Sequence, residues 1–159
     1  MRDRARIGLA VLFLGITVII IWLAMASQFQ ATEEGFGIHL VENDEMIISD
    51  RDIVWYNKTS HEIRLLEEGA DRIASLEVPV HGKPFVVKLH DEPIYNGSFW
   101  SPISSIPYHG VAIEQPITRE DRIIKIKLGY PSSEFFEGTD PRDSPEILSF
   151  LQKTGKLVQ

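Results

Sequence analysis

The chain contains no cysteine. Neither a disulfide framework nor a thiolate metal ligand is therefore available, and any folded domain outside the cytoplasm must be held by its core alone. No charged residue occurs between Arg6 and Glu33. A core helix of a soluble protein is seldom uncharged on every face over several turns, so that run is not read as an ordinary buried helix. Glycines are scattered singly, which excludes a glycine-rich phosphate cradle and argues against nucleotide chemistry. No internal repeat or low-complexity tract is present, and solenoid architectures fall away with it.

What fills the uncharged stretch is almost entirely apolar from Ile7 to Ala26. At about 1.5 Å per residue, a helix over these residues spans roughly 30 Å, the thickness of a bilayer's hydrocarbon core. Arg2, Arg4 and Arg6 precede it against one acid, Asp3, so the short tail stays cytoplasmic and the rest of the chain lies on the far side. The expected organisation is a cytoplasmic tail over 1–6, a transmembrane signal-anchor helix over 7–27, a stalk over 28–37 and an extracytoplasmic domain over 38–159, in the cell membrane. The competing reading is a signal peptide cleaved after Ala26, because Ala24-Met25-Ala26 has the small-x-small form. The run is longer than the 7–15 residues or so of a typical signal core, which favours retention.

The whole chain carries −7; subtracting the tail's +2 leaves −9 on the remainder. An acidic surface of this kind excludes nucleic acid as a partner and gives no purchase on anionic headgroups. Asn57-Lys58-Thr59 and Asn96-Gly97-Ser98 are sequons, so Asn57 and Asn96 are candidate N-glycosylation sites; the plainer reading of each is a turn.

Beyond the stalk the hydrophobic period switches between two and about 3.6, the signature of an α+β domain. Ile53–Tyr56 and 63–65 read as strands around the turn 57–60. Leu66, Ala70, Ile73 and Leu76 recur at helical spacing, with acids in the first turns. Pro84–Leu89 reads as a strand, His90–Pro93 as a turn, and Ile94-Tyr95 as the returning partner. Val111–Glu114 and Arg122–Gly129 give further strands, the second with Ile124, Ile126 and Leu128 alternating against Lys125 and Lys127. Tyr130–Asp143 reads as a loop. Ser144 as N-cap, Pro145 at the first helical position and Gly155 beyond the end frame a last helix. The expectation is a mostly antiparallel sheet with helices near 66–76 and 145–154 packed on one face.

Candidate chemistry is sparse. His39, His61, His81, His90 and His109 match no metal signature, and neither metal nor cofactor is expected. Ser101, Ser104 and Ser105 could be paired with His109 or His90 as a hydrolase, but no G-x-S-x-G elbow exists, and serines beside Pro102 and Pro107 suit loop-capping. The segment from Tyr95 to Tyr108 gathers Tyr95, Phe99, Trp100 and Tyr108 around two prolines. Such rings make contact surface at low entropy cost, which offers them as partner-binding residues for a protein, or as a platform for a glycan or envelope polymer. Equally, they cap one end of the core.

The order of these pieces resembles a known family. ISDRDI at 48–53, HEIRLLEEGADRIASL at 61–76, GKPFVVKL at 82–89 with a turn and IYNGSF, and IPYHGVAI at 106–113 are similar to the first extracytoplasmic (head) domain of SecD, the membrane component that assists protein export. Glu68-Gly69-Ala70 matches that family's strand-to-helix element, Gly82-Lys83 with 85–89 its hairpin, Gly110–Ile113 its following strand, and ILSFLQKTGKL at 147–157 its closing helix. The hairpin's Asp-Gly is here Asp91-Glu92, and 122–143 has no counterpart. A single uncharged span also cannot couple protons. The resemblance implies a SecD head-like fold and contact with polypeptides, hence a non-catalytic binding or accessory protein linked to protein export or a membrane complex.

Overall fold

The computed structural model describes residues 35–115 and 122–159. The span expected over 7–27, the tail, the cleavage site after Ala26 and the stalk up to residue 34 lie outside the described residues. Among those described, no helix is long and apolar enough to cross a membrane.

In chain order the elements are β1 (Phe36–Leu40), β2 (Met46–Ser49), a 3-10 turn (Asp50–Asp52), β3 (Ile53–Asn57), β4 (Glu62–Leu65), α1 (Glu67–Ala74), β5 (Lys83–Leu89), β6 (Glu92–Trp100), β7 (Tyr108–Glu114), β8 (Ile123–Tyr130), a 3-10 turn (Ser133–Phe135), α2 (Pro145–Lys153) and β9 (Leu157–Val158). This is the expected α+β domain, with a mostly antiparallel sheet and two helices. Its start differs from expectation: Phe36 and Gly37, placed in the stalk by their polar surroundings, open β1, and Phe36 is buried.

The strands form one sheet in the order β2-β1-β5-β6-β7-β8-β4-β3-β9. All pairings are antiparallel except β6–β7 and β3–β9. β2 and β3 stand at the first and eighth places of that order, yet only Asp50–Asp52 separates them. Seven strand spacings of a flat sheet would measure about 34 Å, whereas the four Cα steps from Ser49 to Ile53 reach at most about 15 Å. The sheet therefore curls until its ends meet, in the manner of a barrel with a seam.

The enclosed core follows the period-two alternation of the strands: Phe36, Ile38 and Leu40 from β1, Phe85, Val87 and Leu89 from β5, Ile63 and Leu65 from β4, Ile124 and Ile126 from β8. Ala70 and Ile73 of α1 and Ile147 and Leu151 of α2 join the same cluster, so both helices feed one core. Ser144 caps α2 as its sequence position predicts, accepting from the Ile147 amide at 3.4 Å. α1 stops before the expected residue 76. Gln115 Nε2 donates to the carbonyls of Ile73, Ala74 and Leu76 at 3.0, 3.3 and 2.6 Å, taking over groups that another helical turn would have used.

The seam is closed by side chains. Arg72 Nε donates to the Ile47 carbonyl on the free edge of β2 at 3.0 Å. Lys156, next to β9, donates to the Asp50 carbonyl. The Leu66 amide donates to the Asp52 carbonyl at 2.7 Å, and α1 can approach because residue 69 is glycine: a Cβ there would stand 2.9 Å from Asp52 Cβ.

Candidate functional site

β6 and β7 are neighbours and parallel, with Gly97 opposite Val111 and Trp100 opposite Glu114. The chain must therefore cross back between Trp100 and Tyr108, and residues 101–107 form that crossing as a strap. The aromatic segment from Tyr95 to Tyr108 is not one unit: Gly97–Trp100 complete β6, which places the expected contact aromatics on two faces of a strand. Tyr95, Gly97 and Phe99 share the core side, where Phe99 is fully buried and packs on Phe85 at 5.0 Å between centroids. Trp100 takes the opposite side, beneath the strap, stacked on Tyr108 at 4.8 Å and tilted against Tyr130 at 6.0 Å.

With Trp100 only 3% exposed, it offers no free platform to a protein or a glycan, and the core-capping reading describes both it and Phe99. Tyr95 and Tyr108 are half-buried. Burial pushes both hydroxyls up in pKa; at Tyr95 the phenol end is enclosed although the residue as a whole keeps some surface. Two glycines make room for the stack. A Cβ on Gly82 would lie 2.3 Å from Trp100 Cζ3, and one on Gly110 would lie 2.6 Å from the Tyr108 hydroxyl. The Trp100 indole N–H meets no acceptor among the described residues.

The strap is pinned from below. Tyr130 Oη donates to the carbonyls of Ser104 and Pro102 at 2.9 and 3.2 Å, and Ser104 Oγ donates to the Val80 carbonyl at 2.5 Å. With the aromatics, Ser101 and Ser104 turned inward, the side chains that face out are Ser105, Pro107 and a set of large aliphatics. Ile103 is 85% exposed, Val80 51% and Ile106 43%. Sequence reading missed these residues because it looked for rings. The signal was present in the alternation of the strap, where Ile103 and Ile106 fall between residues that hold it down.

The serine–histidine pairings expected of a hydrolase are not assembled among the described residues. Ser101 and Ser104 are buried, and Ser104 Oγ also accepts from the Ile106 amide at 3.1 Å. His109 Nδ1 faces Glu137 Oε1 at 3.3 Å, and His90 lies edge-on to Phe150 at 5.7 Å. His39 is buried with Nδ1 at 3.2 Å from the Asp44 carbonyl. No group of three or more histidines and carboxylates placed to hold a metal occurs among the described residues. At the sequons, Asn57 Oδ1 accepts from the amides of Thr59 and Ser60 at 2.8 and 2.9 Å and so builds the turn, while Asn96 is exposed on β6.

A second polar cluster was not singled out from sequence. Tyr56 Oη and His61 Nδ1 are 2.8 Å apart, spanning the β3–β4 turn. Arg142 donates from Nη1 to the Ile126 carbonyl at 2.9 Å and grips Asp140 through Nε and Nη2 at 2.9 and 2.7 Å, while the Ile126 amide donates to the His61 carbonyl at 2.9 Å. Burial and the nearby Arg142 hold the His61 imidazole below its ordinary pKa, against the pull of Asp143 and Asp140. Chemically this is a latch joining the turn to the 131–143 loop: each of these donors and acceptors already serves the fold.

Compared with known protein families, curated proteins and solved structures, the chain matches none.

Proposed function

We infer that this chain is a single-pass membrane protein, anchored through residues 7–27 with its N-terminus cytoplasmic, whose extracytoplasmic domain is a non-catalytic binding or accessory subunit of SecD head-like fold. The observation that carries the reading is the strap: the Ser104 hydroxyl and the buried rings that could have done chemistry are used to hold it. The uncharged run supports the anchor. The order β4–α1, the β5–β6 hairpin, β7 and a closing helix supports the SecD head resemblance. The partner is a protein of a membrane complex or an exported polypeptide.

Purification of the tagged full-length chain from native membranes in mild detergent tests this. Co-purification of a membrane or exported protein in fixed proportion is the expected result. Recovery of the chain alone, with an intact mass beginning at Ser27, would replace it with a secreted, unpartnered protein.

A further inference from the structure

We propose that the outward face of the strap, Ile103 and Ile106 with Val80 beside them, seats in the lipid surface of the bilayer and fixes how the domain is presented to its partner. The proposal rests on the anchored reading above and adds the occupant of this face.

The first argument is charge. No Asp, Glu, Lys or Arg occurs from Pro93 to Ile113, nor from Val78 to Gly82, in a chain of which 25% is charged. The Ser104–Val80 bond holds these two uncharged segments together, so the aliphatic tips sit on charge-free backbone. Apart from the exposed His81 beside Val80, segments 78–82 and 101–107 hold no ionisable side chain, so the strap has no carboxylate or guanidinium to offer a polypeptide. It pays little desolvation on entering a medium of low dielectric.

Area is the second argument. A fully exposed aliphatic side chain presents about 100 Å² of apolar surface, so these three at their fractional exposures supply on the order of 200 Å². A stable protein interface needs about 800 Å² from each partner, which this face falls well short of. Insertion of a few aliphatic side chains into a bilayer has no such threshold. Weak insertion becomes effective when a second element already holds the chain at the membrane, as two marginal lipid signals together give stable attachment.

The domain's own surface sets the lipid class. With −9 on the chain beyond its tail, anionic headgroups repel it, and zwitterionic lipid is the fitting surface.

The absence of cysteine makes the test direct: Ile103→Cys creates a single labelling site in the full chain. The labelled protein, carrying an environment-sensitive fluorophore, is reconstituted into phosphatidylcholine vesicles with ordinary or brominated acyl chains, alongside Lys58→Cys in the β3–β4 turn as control. Ile103 is largely exposed, so an unchanged thermal midpoint is expected of the variant. Blue-shifted emission at position 103, quenched by brominated lipid while position 58 is not, is the expected result. Solvent-like emission at both positions overturns the proposal. A blue shift without lipid quenching also overturns it, by assigning the face to a protein, and leaves the binding reading standing. Release of the chain from vesicles by alkaline carbonate would remove the anchor itself and both readings with it.

Discussion

Arg72 Nη2 lies 2.6 Å from Asp52 Oδ2 while its Nε donates to the Ile47 carbonyl, so one guanidinium joins α1, the 3-10 turn and the free edge of β2. Burial tends to raise the Asp52 carboxyl, but hydrogen bonds from Arg72 and from the Ser49 amide and hydroxyl outweigh it, and its pKa is held below the ordinary carboxylate value. The folded state then binds this proton less tightly than the unfolded chain. Its contribution is complete above the unfolded pKa and is lost as pH falls through the folded one. Arg72→Ala should cost about 1–3 kcal/mol at neutral pH, because the edge carbonyl and the carboxylate lose a donor. It should also flatten the acid limb of a stability–pH curve below about pH 4. Chemical denaturation across pH measures both.

Trp100→Ala should now act as a core substitution. With the ring buried against Tyr108 and Tyr130, a loss of about 3–5 kcal/mol is expected in the unfolding free energy. Retained stability would mean the ring is not under the strap.

Gly82→Ala tests the same packing from the other side. Its φ of +85° disfavours any side chain, and the new Cβ would meet the indole. The substitution should lower the thermal midpoint and shift tryptophan emission, whereas Gly138→Ala, also at positive φ but with nothing within 4 Å, should cost only the backbone term of about 1 kcal/mol.

The Tyr56–His61 latch predicts a second pH effect of the same sign at a different place. A histidine depressed below 6.5 in the folded state is protonated first in the unfolded chain, so stability falls as pH drops from about 6.5 through the folded pKa. His61→Asn tolerates the left-handed backbone, φ +55°, and should remove that slope. Urea midpoints at pH 7 and pH 5 decide it.

Ile126→Ala, at the centre of β8 and 2% exposed, should cost about 2–5 kcal/mol. An unchanged midpoint would mean that the inward face of β8 has been assigned backwards.

Much of the fold was legible because local signals were strong. Alternation in 122–129, the helical spacing through Ala70 and Ile73, and the Ser144-Pro145 start each report one element's own preference. Two features were not legible, for one reason. β1 and the last four residues of β6 are buried on both faces, so no polar alternation marks them as strands. Pro102 and Pro107 give the whole segment from Tyr95 to Tyr108 an irregular look, yet they belong to the strap alone. Once the strand ran on to Trp100, the aromatic group divided between its two faces. The candidate surface moved from the rings to Ile103 and Ile106, because which side of a strap faces water depends on what it crosses. Tyr56 and His61 are paired across a turn whose left-handed residue has no sequence mark beyond ordinary polarity.

The sheet order also governs when the domain can fold. β4 has β3 on one side from the outset, but its other edge, Glu62–Arg64, waits for Ile123–Lys125, and β1 waits for β5. Long-range pairings of this kind close large loops before they return contact energy, so folding should be slow for a domain of this size, on the order of milliseconds to seconds. A chain emerging from its N-terminus keeps the apolar face of the β3–β4 hairpin open until β8 has been delivered. Over that interval its unpaired edge strands are the hazard, open to pairing with another chain.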